Sequence, residues 1–257
     1  VNVDDLHGTK IPGLFPESNI TTYGIDNFAN VLAKDITITN AYVDFKVKIT
    51  DRNERVKTGI PGRFSVYNSL CAIAICSHFT NDVEKIREAL KNVRVKGRVE
   101  IIPVSKRFTL MIDYAHNAMS LESLLKSLKE YNPKRLVTVF GCGGNRARGR
   151  RFEMGEVSSK LSDFTIVTSD NPRFEEPMDI INDILVGVHK ADGEYVTIPD
   201  RKDAIRYAIL NAKDGDVIVL AGKGHEDYQE IKGVKHPMDE RVLISEVIKE
   251  DEVKAVL

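Results

Sequence analysis

The sequence runs to 257 residues, 42% of them hydrophobic, enough for one large or two ordinary domains each with its own core, and two are expected. Thirty-seven basic and 38 acidic residues leave a formal net charge of −1, which gives no reason to expect nucleic acid or an anionic membrane as a partner and favours small molecules. No run approaches the roughly 18 to 20 apolar residues of a membrane span, and "VNVDDLHGTK" lacks the basic-then-apolar order of a secretory signal, so a cytoplasmic protein is expected.

Between residue 20 and about residue 60, the short β-prone runs "ITTYGI", "DITIT" and "YVDFKVKI" alternate with polar turns and predict part of a mixed sheet. Pro61-Gly62 then punctuates the chain ahead of a mostly apolar helix in "PGRFSVYNSLCAIAICSHF". A second helix, "DVEKIREALKNV", ends before Gly97, and the domain boundary is placed at about Arg98, giving domains 1–98 and 99–257. Cys71 and Cys76 fall in the first helix and read as core residues. With Cys142 they make an odd count without metal-ligand spacing, which argues against a disulfide framework and assigns no metal site.

From residue 99 onward strands and helices alternate strictly. The strands "RFTLMI", "RLVTVF", "DFTIVT", "EYVTI" and "DVIVLA" are short, apolar and rich in β-branched residues, as parallel strands covered on both faces are. Between the first two, Leu121, Leu124, Leu125 and Leu128 recur at i, i+3, i+4 and i+7. Ser120 is a candidate N-cap and Asn132-Pro133 ends the run, so an amphipathic crossover helix is predicted. The fold class is therefore α/β, with a Rossmann-like, open and mostly parallel sheet in the second domain, and ligands on such sheets collect at the carboxyl ends of the strands.

The residues just past those ends carry the chemistry. They are Asp113, Tyr114 and His116; Gly141, Cys142, Gly143 and Gly144; Asp170, Asn171 and Arg173; Asp200; and Gly222, Lys223, His225 and Glu226. "FGCGGNRARGRR" sets glycines and then cations ahead of a helix, which suits an anion or carboxylate as well as a solvated surface turn. "AGKGHEDYQ" lacks the hydroxyl residue that a phosphate loop places after its lysine. Its Glu226 and His225 are open to acid–base, cation-binding or plain loop roles. Asp113 is a candidate helix cap or an acceptor for a ribose. In "DNPR" the proline fixes a turn and Arg173 offers a planar fork that matches a carboxylate, although Asp-Asn-Pro is also an ordinary turn.

Taken in order, "NVDDLHG", "GRFSVYNSLCAIA", "VKGRVE", "DYAHN", "GCGGNRARGRR", "SDNPR" and "AGKGHEDYQ" resemble successive segments of the Mur ligase family, most closely its MurE branch, across almost the whole chain. The resemblance implies the last part of a central ATPase-type domain (mixed sheet plus helices) in 1–98 and the family's carboxyl-terminal α/β domain in 99–257. It implies an ATP-dependent amide ligase of peptidoglycan synthesis that phosphorylates the carboxylate of UDP-MurNAc-L-Ala-D-Glu and lets the amine of a diamino acid displace phosphate. Asn68, Arg98, Asp113, Tyr114 and His116 would then lie around ATP, and Arg151, Asp170, Asn171, Arg173, Gly222 and Glu226 would hold the amino acid. The Asp-Asn-Pro-Arg form resembles enzymes that add meso-diaminopimelate rather than lysine.

The family's Gly-Lys-Thr phosphate loop, its uridine-binding domain and its Mg²⁺-supporting modified lysine are not in these residues and are expected upstream. The chain alone is therefore expected to be inactive, and the whole enzyme to act as a monomer on small molecules. Two other readings remain open: a non-catalytic α/β module that binds an amino acid or nucleotide, and a folylpolyglutamate- or cyanophycin-type ligase.

Overall fold

Alternation of apolar and charged side chains builds the sheet of the amino-terminal unit, Val1–Arg94. Strands β1 (Tyr23–Gly24), β2 (Val31–Ile38), β3 (Val43–Ile49) and β4 (Arg52–Thr58) lie in that order, the first pair parallel and the others antiparallel. On β3, Val43, Phe45, Val47 and Ile49 are buried while Lys46 and Lys48 are exposed, so one face packs and the other stays polar. The computed structural model describes residues 1–39, 42–49, 52–255 and 257.

The short helix α1 (Ile11–Leu14) precedes this sheet, and α2 (Arg63–Cys76) and α3 (Val83–Asn92) follow it. Val66, Leu70 and Ile73 of α2 share a core with Phe45 and Ile49 of the sheet and Ile86 of α3. A helix covered on one side buries one stripe only. Cys71 is accordingly half-buried and Cys76 exposed, which corrects the expectation that both are core residues.

The second unit, Val95–Leu257, contains in chain order β5 (Glu100–Ile102), β6 (Thr109–Asp113), α4 (Ala118–Lys129), β7 (Arg135–Phe140), α5 (Gly149–Leu161), β8 (Phe164–Val167), α6 (Pro177–Val188), β9 (Tyr195–Thr197), α7 (Arg201–Leu210), β10 (Asp216–Ala221), the hairpin β11 (Tyr228–Ile231) and β12 (Val234–Pro237), α8 (Glu240–Val247) and α9 (Asp251–Lys254). The boundary expected at residue 98 falls just inside this unit. Six strands form its main sheet in the order β5-β6-β10-β7-β8-β9. All neighbours are parallel except the edge strand β5, which runs antiparallel to β6.

Every residue of β10 is buried, as its place in the middle of the sheet requires. The predicted leucine stripe of α4 is buried, but the cap is Asn117 rather than Ser120. The Asn117 side chain accepts from Ser120 N–H at 2.9 Å, and the Ser120 hydroxyl accepts from Asn117 N–H at 3.3 Å. Ser120 is thus the far partner of a capping box. Helices α5 and α6 meet where Gly187 faces the α5 backbone, since a Cβ on Gly187 would lie 1.8 Å from Phe152 O. Among the described residues, no helix is long and apolar enough to cross a membrane.

Candidate functional site

Insertion of β10 between β6 and β7 brings the carboxyl ends of β6, β10, β7 and β8 side by side, so four loops open onto one edge. Two of them touch backbone to backbone. Gly144 N–H donates to Asn171 O at 2.8 Å, and a Cβ on Gly144 would lie 1.9 Å from Pro172 O. Gly144 is therefore required by this close approach of the two backbones.

Arg173 stands where the loop after β8 meets the hairpin. Its backbone is in the left-handed region at φ 55°. Its N–H donates to Glu230 O at 2.9 Å, and its carbonyl accepts from Lys232 N–H at 2.7 Å. The guanidinium donates through Nε to Glu230 Oε2 at 2.9 Å and through Nη1 to Gly144 O at 2.8 Å. The fork is thus held by an acid and by the glycine loop, and Arg173 lines the adjoining cleft.

That cleft has a volume of about 450 Å³. Tyr114 and His116 line it from the loop after β6, Gly222 and Glu226 from the loop after β10, and Asp170, Asn171 and Arg173 from the loop after β8. The loop after β7 and the start of α5 add Arg146 and Arg150, and the hairpin adds Tyr228. Glu226 Oε2 accepts from Asn171 Nδ2 and from Lys223 Nζ, both at 2.9 Å, while Oε1 lies 3.5 Å from the Tyr114 hydroxyl. Burial works to raise the Glu226 carboxyl, but the Lys223 ammonium and Asn171 amide outweigh it and hold it below the usual carboxylate range. The opposite result holds for Cys142, whose thiol burial pushes up to about 12, so it lines the cleft as a neutral group beside Met154.

Several expected site residues lie elsewhere. Asp113 is buried and its carboxylate is spent on backbone, accepting from Ala115 N–H through Oδ1 and Val99 N–H through Oδ2, each at 2.8 Å. It supports the left-handed Val99 at φ 41°, a conformation disfavoured for a β-branched residue, rather than facing the cleft. Burial raises its pKa, partly offset by those hydrogen bonds. Arg98 is exposed, its guanidinium 4.9 Å from the centre of the Tyr114 ring. Asn68 is exposed on α2 of the amino-terminal unit. Asp200 caps α7 by accepting from Asp203 N–H, outside the cleft lining.

Arg151, expected to hold the amino acid, instead sits behind the cleft wall at 1% exposure. It bonds Glu175 through both terminal nitrogens, at 2.8 and 2.7 Å, and Asp183 at 2.9 Å. Arg148 joins it on Asp183. Glu175 also accepts from Asn145 N–H, so the cluster ties the glycine loop to the start of α6. The arginines of the same run "RARGRR" that do line the cleft are Arg146 and Arg150, and the run carries no local sign of which arginine is buried. Lys223 was also missed, because its sequence context argued only that it is not the lysine of a phosphate loop.

The hydrogen bond from Arg151 is the main cause holding the Glu175 carboxyl low, and that from Arg148 the main cause for Asp183. Carboxylates with depressed folded pKa values contribute stability above their unfolded values of about 4, and lose it as pH falls through the lower folded values. Arg151→Met is expected to destabilise the protein by about 1.5–3 kcal/mol at pH 7, the range for charged hydrogen bonds, with the deficit shrinking below pH 4. Urea unfolding at the two pH values measures this, and a deficit independent of pH would contradict it.

Comparison with known proteins follows the two units. Residues 1–76 match the family model of the Mur ligase middle domain, and residues 97–224 that of the Mur ligase glutamate ligase domain. The chain is 45% identical over 255 residues to a UDP-N-acetylmuramoyl-L-alanyl-D-glutamate–2,6-diaminopimelate ligase of Caldanaerobacter subterraneus subsp. tengcongensis, covering 98% of this chain and 52% of the relative. It is 42% identical to a ligase of the same name, numbered 1, from Clostridium acetobutylicum, covering 97% and 52%. A solved structure of another such ligase aligns with a TM-score of 0.69 at 32% identity, over 96% of this chain and 52% of that one. A Thermotoga maritima MurF ligase solved in complex with ADP shares the fold, with a TM-score of 0.63 at 15% identity, over 98% and 53%. The chain spans about half the length of the curated relatives it matches.

Proposed function

The chain belongs to the Mur ligase family, and on that premise we propose that the protein containing it joins meso-diaminopimelate to UDP-MurNAc-L-Ala-D-Glu in an ATP-dependent step of peptidoglycan synthesis. Phosphorylation of the substrate carboxylate gives an acyl phosphate, the amine attacks its carbonyl carbon, and the carbon–oxygen bond to phosphate breaks as the amide forms.

One observation carries the choice of amino acid: Arg173 and Glu226 line the same cleft with opposite charge, on loops fixed to each other through Asn171. Diaminopimelate carries a carboxylate and an ammonium together at its far end, which suits such a pair. Lysine has only the ammonium and leaves the arginine without its ligand partner. Glu230 already bonds Arg173 Nε at 2.9 Å, so the guanidinium is not stranded when lysine enters. The discrimination is accordingly set near the net value of a charged hydrogen bond, about 1.5–3 kcal/mol, rather than the cost of a bare buried charge.

Asp170, Asn171 and Gly222 shape this end of the cleft. Tyr114 and His116, with Arg98 beside the tyrosine, are assigned to the nucleotide. Arg151 and Asp113 support the loops from behind. ATP and Mg²⁺ are the cofactors assigned to the enzyme; among the described residues no group of three or more His, Cys, Asp or Glu is arranged to hold a metal ion. The reading places the enzyme in the cytoplasm as a monomer acting on small molecules.

The ligase that contains this sequence, supplied with ATP and UDP-MurNAc-L-Ala-D-Glu, is expected to incorporate labelled diaminopimelate at least ~10-fold faster than labelled lysine at equal subsaturating concentrations. Equal incorporation of the two, or phosphate release with neither, would count against the assignment.

A further inference from the structure

Lys223 follows β10 directly and is fully buried, at 0% exposure. Its ammonium donates to Asn171 Oδ1 at 2.9 Å, to Glu226 Oε2 at 2.9 Å and to the carbonyl of Tyr228, so each of its three protons has an acceptor. Burying an ammonium is costly unless it is paired and hydrogen-bonded, and this one has both.

The consequences run outward to the cleft. Asn171 Oδ1 also accepts from Glu230 N–H at 2.9 Å, so two donors fix the oxygen end of that amide. A flipped amide would set its NH₂ against an ammonium and a backbone N–H. The nitrogen end must therefore face Glu226, where Nδ2 donates to Oε2 at 2.9 Å. Both donors fall on the same carboxylate oxygen, which leaves Oε1 for the cleft.

We propose that Lys223 is the positioning residue of this cleft: by holding Asn171 and Glu226 at once, its ammonium presents one ionised oxygen, Glu226 Oε1, to the ammonium group of the incoming amino acid. This rests on the reading that the cleft takes a diamino acid. It goes beyond that reading by naming a residue that does not itself line the cleft.

The charges around the pair leave this task to Lys223. Asp170 Oδ1 lies 3.9 Å from Nζ, and Glu240 at the start of α8 also interacts with Lys223. Glu230 lies on the hairpin, the Tyr114 hydroxyl is 3.5 Å from Glu226 Oε1, and the Tyr228 ring centre is 5.2 Å from Lys223 Nζ. The acids oppose a charge on Glu226. His225 favours it, but ranks below Lys223 and Asn171 among the causes that hold Glu226 low.

The test compares wild type, Lys223→Met, Glu226→Gln and the double variant of the purified chain. The Glu226 carboxyl carbon is followed by NMR titration without ligand, and diaminopimelate affinity by calorimetry between pH 5 and pH 8. Wild-type Glu226 is expected to titrate below the usual carboxylate range and its midpoint to rise by at least about one pH unit in Lys223→Met. Affinity should fall ~10–100-fold at the acid end and partly recover toward pH 8. The double variant should bind no worse than Glu226→Gln alone.

A midpoint indifferent to residue 223, or an affinity loss equal at every pH, overturns the proposal. Should Lys223→Met not fold, the wild-type titration decides alone, and a midpoint at or above the ordinary value overturns it. Failure of the wild type to bind diaminopimelate overturns instead the reading on which the proposal rests.

Discussion

Arg201→Met is expected to destabilise the carboxyl-terminal unit by about 3–5 kcal/mol at neutral pH, the cost of stripping one partner from a buried ion pair. Arg201 and Glu240 are 2% and 1% exposed at the first turns of α7 and α8. Arg201 Nε and Nη2 donate to Glu240 Oε1 at 2.9 and 2.7 Å, and Nη2 also reaches Ala221 O at the end of β10, at 3.1 Å. The pair thereby pins two helices to the strand from which Gly222 and Lys223 lead into the cleft. Glu240 Oε2 and Arg201 Nη1 are buried without hydrogen-bond partners among the described residues, so this geometry is far from saturated.

Burial raises the Glu240 carboxyl above its usual value even with Arg201 pulling it down. An acid with a raised folded pKa costs stability above that value, and the cost disappears as pH falls through it. Removing Arg201 enlarges the cost at neutral pH, so the deficit of Arg201→Met should shrink on acidification. The double variant Arg201→Met, Glu240→Leu should recover most of the loss, since an apolar pair of similar volume needs no desolvation of charge. Denaturant unfolding of the three proteins at pH 7 and pH 5 decides this. A single variant within 1 kcal/mol of wild type at pH 7 would show that the pair carries no such strain.

Arg173→Ala is expected to lower diaminopimelate affinity ~10–100-fold while changing lysine affinity little or in its favour. The substitution removes the bonds from Nε to Glu230 and from Nη1 to Gly144 O, and with them the clamp between hairpin and glycine loop. It also leaves Glu230 without its cation, so this end of the cleft turns from balanced to negative. A carboxylate is then repelled and an ammonium drawn in. Arg173→Lys should fall between, because a point charge cannot serve Glu230, Gly144 and a ligand carboxylate together as a planar fork does. Adding Glu230→Gln to Arg173→Ala should restore part of the lost affinity by removing the stranded acid. Equal losses for both amino acids would instead point to collapse of the loop.

The elements that sequence pattern located well are those whose signal is local. The strands predicted at "RLVTVF" and "DVIVLA" coincide with β7 and β10, and the leucine stripe of α4 is buried as its spacing required. Strand order is not a local property. Nothing in "DVIVLA" says that it inserts between two earlier strands, yet that insertion is what gathers Tyr114, Gly141, Asn171 and Glu226 around one cleft. The hairpin β11–β12 has a legible signal in Lys232-Gly233, whose φ values of 50° and 79° fit a two-residue turn, although the alternation of strands and helices predicts no hairpin there.

Roles of single charged side chains were harder to read, because they depend on partners far along the chain. Arg151 is turned inward by Glu175 and Asp183, Asp113 is consumed by the N–H groups of Val99 and Ala115, and Lys223 is claimed by Asn171 and Glu226. Residue type alone fixes neither the partners of these side chains nor which side of the cleft wall each one faces.

On the proposed function, the cleft between the glycine loop and the hairpin selects a diamino acid bearing a second carboxylate. Calorimetric titration of the purified chain with meso-diaminopimelate and with L-lysine, at pH 7.5 and low ionic strength, tests it most directly. Saturable binding of diaminopimelate is expected, with lysine at least ~10-fold weaker and that ratio lost in Arg173→Ala. Lysine binding as tightly as diaminopimelate to the wild type would contradict it.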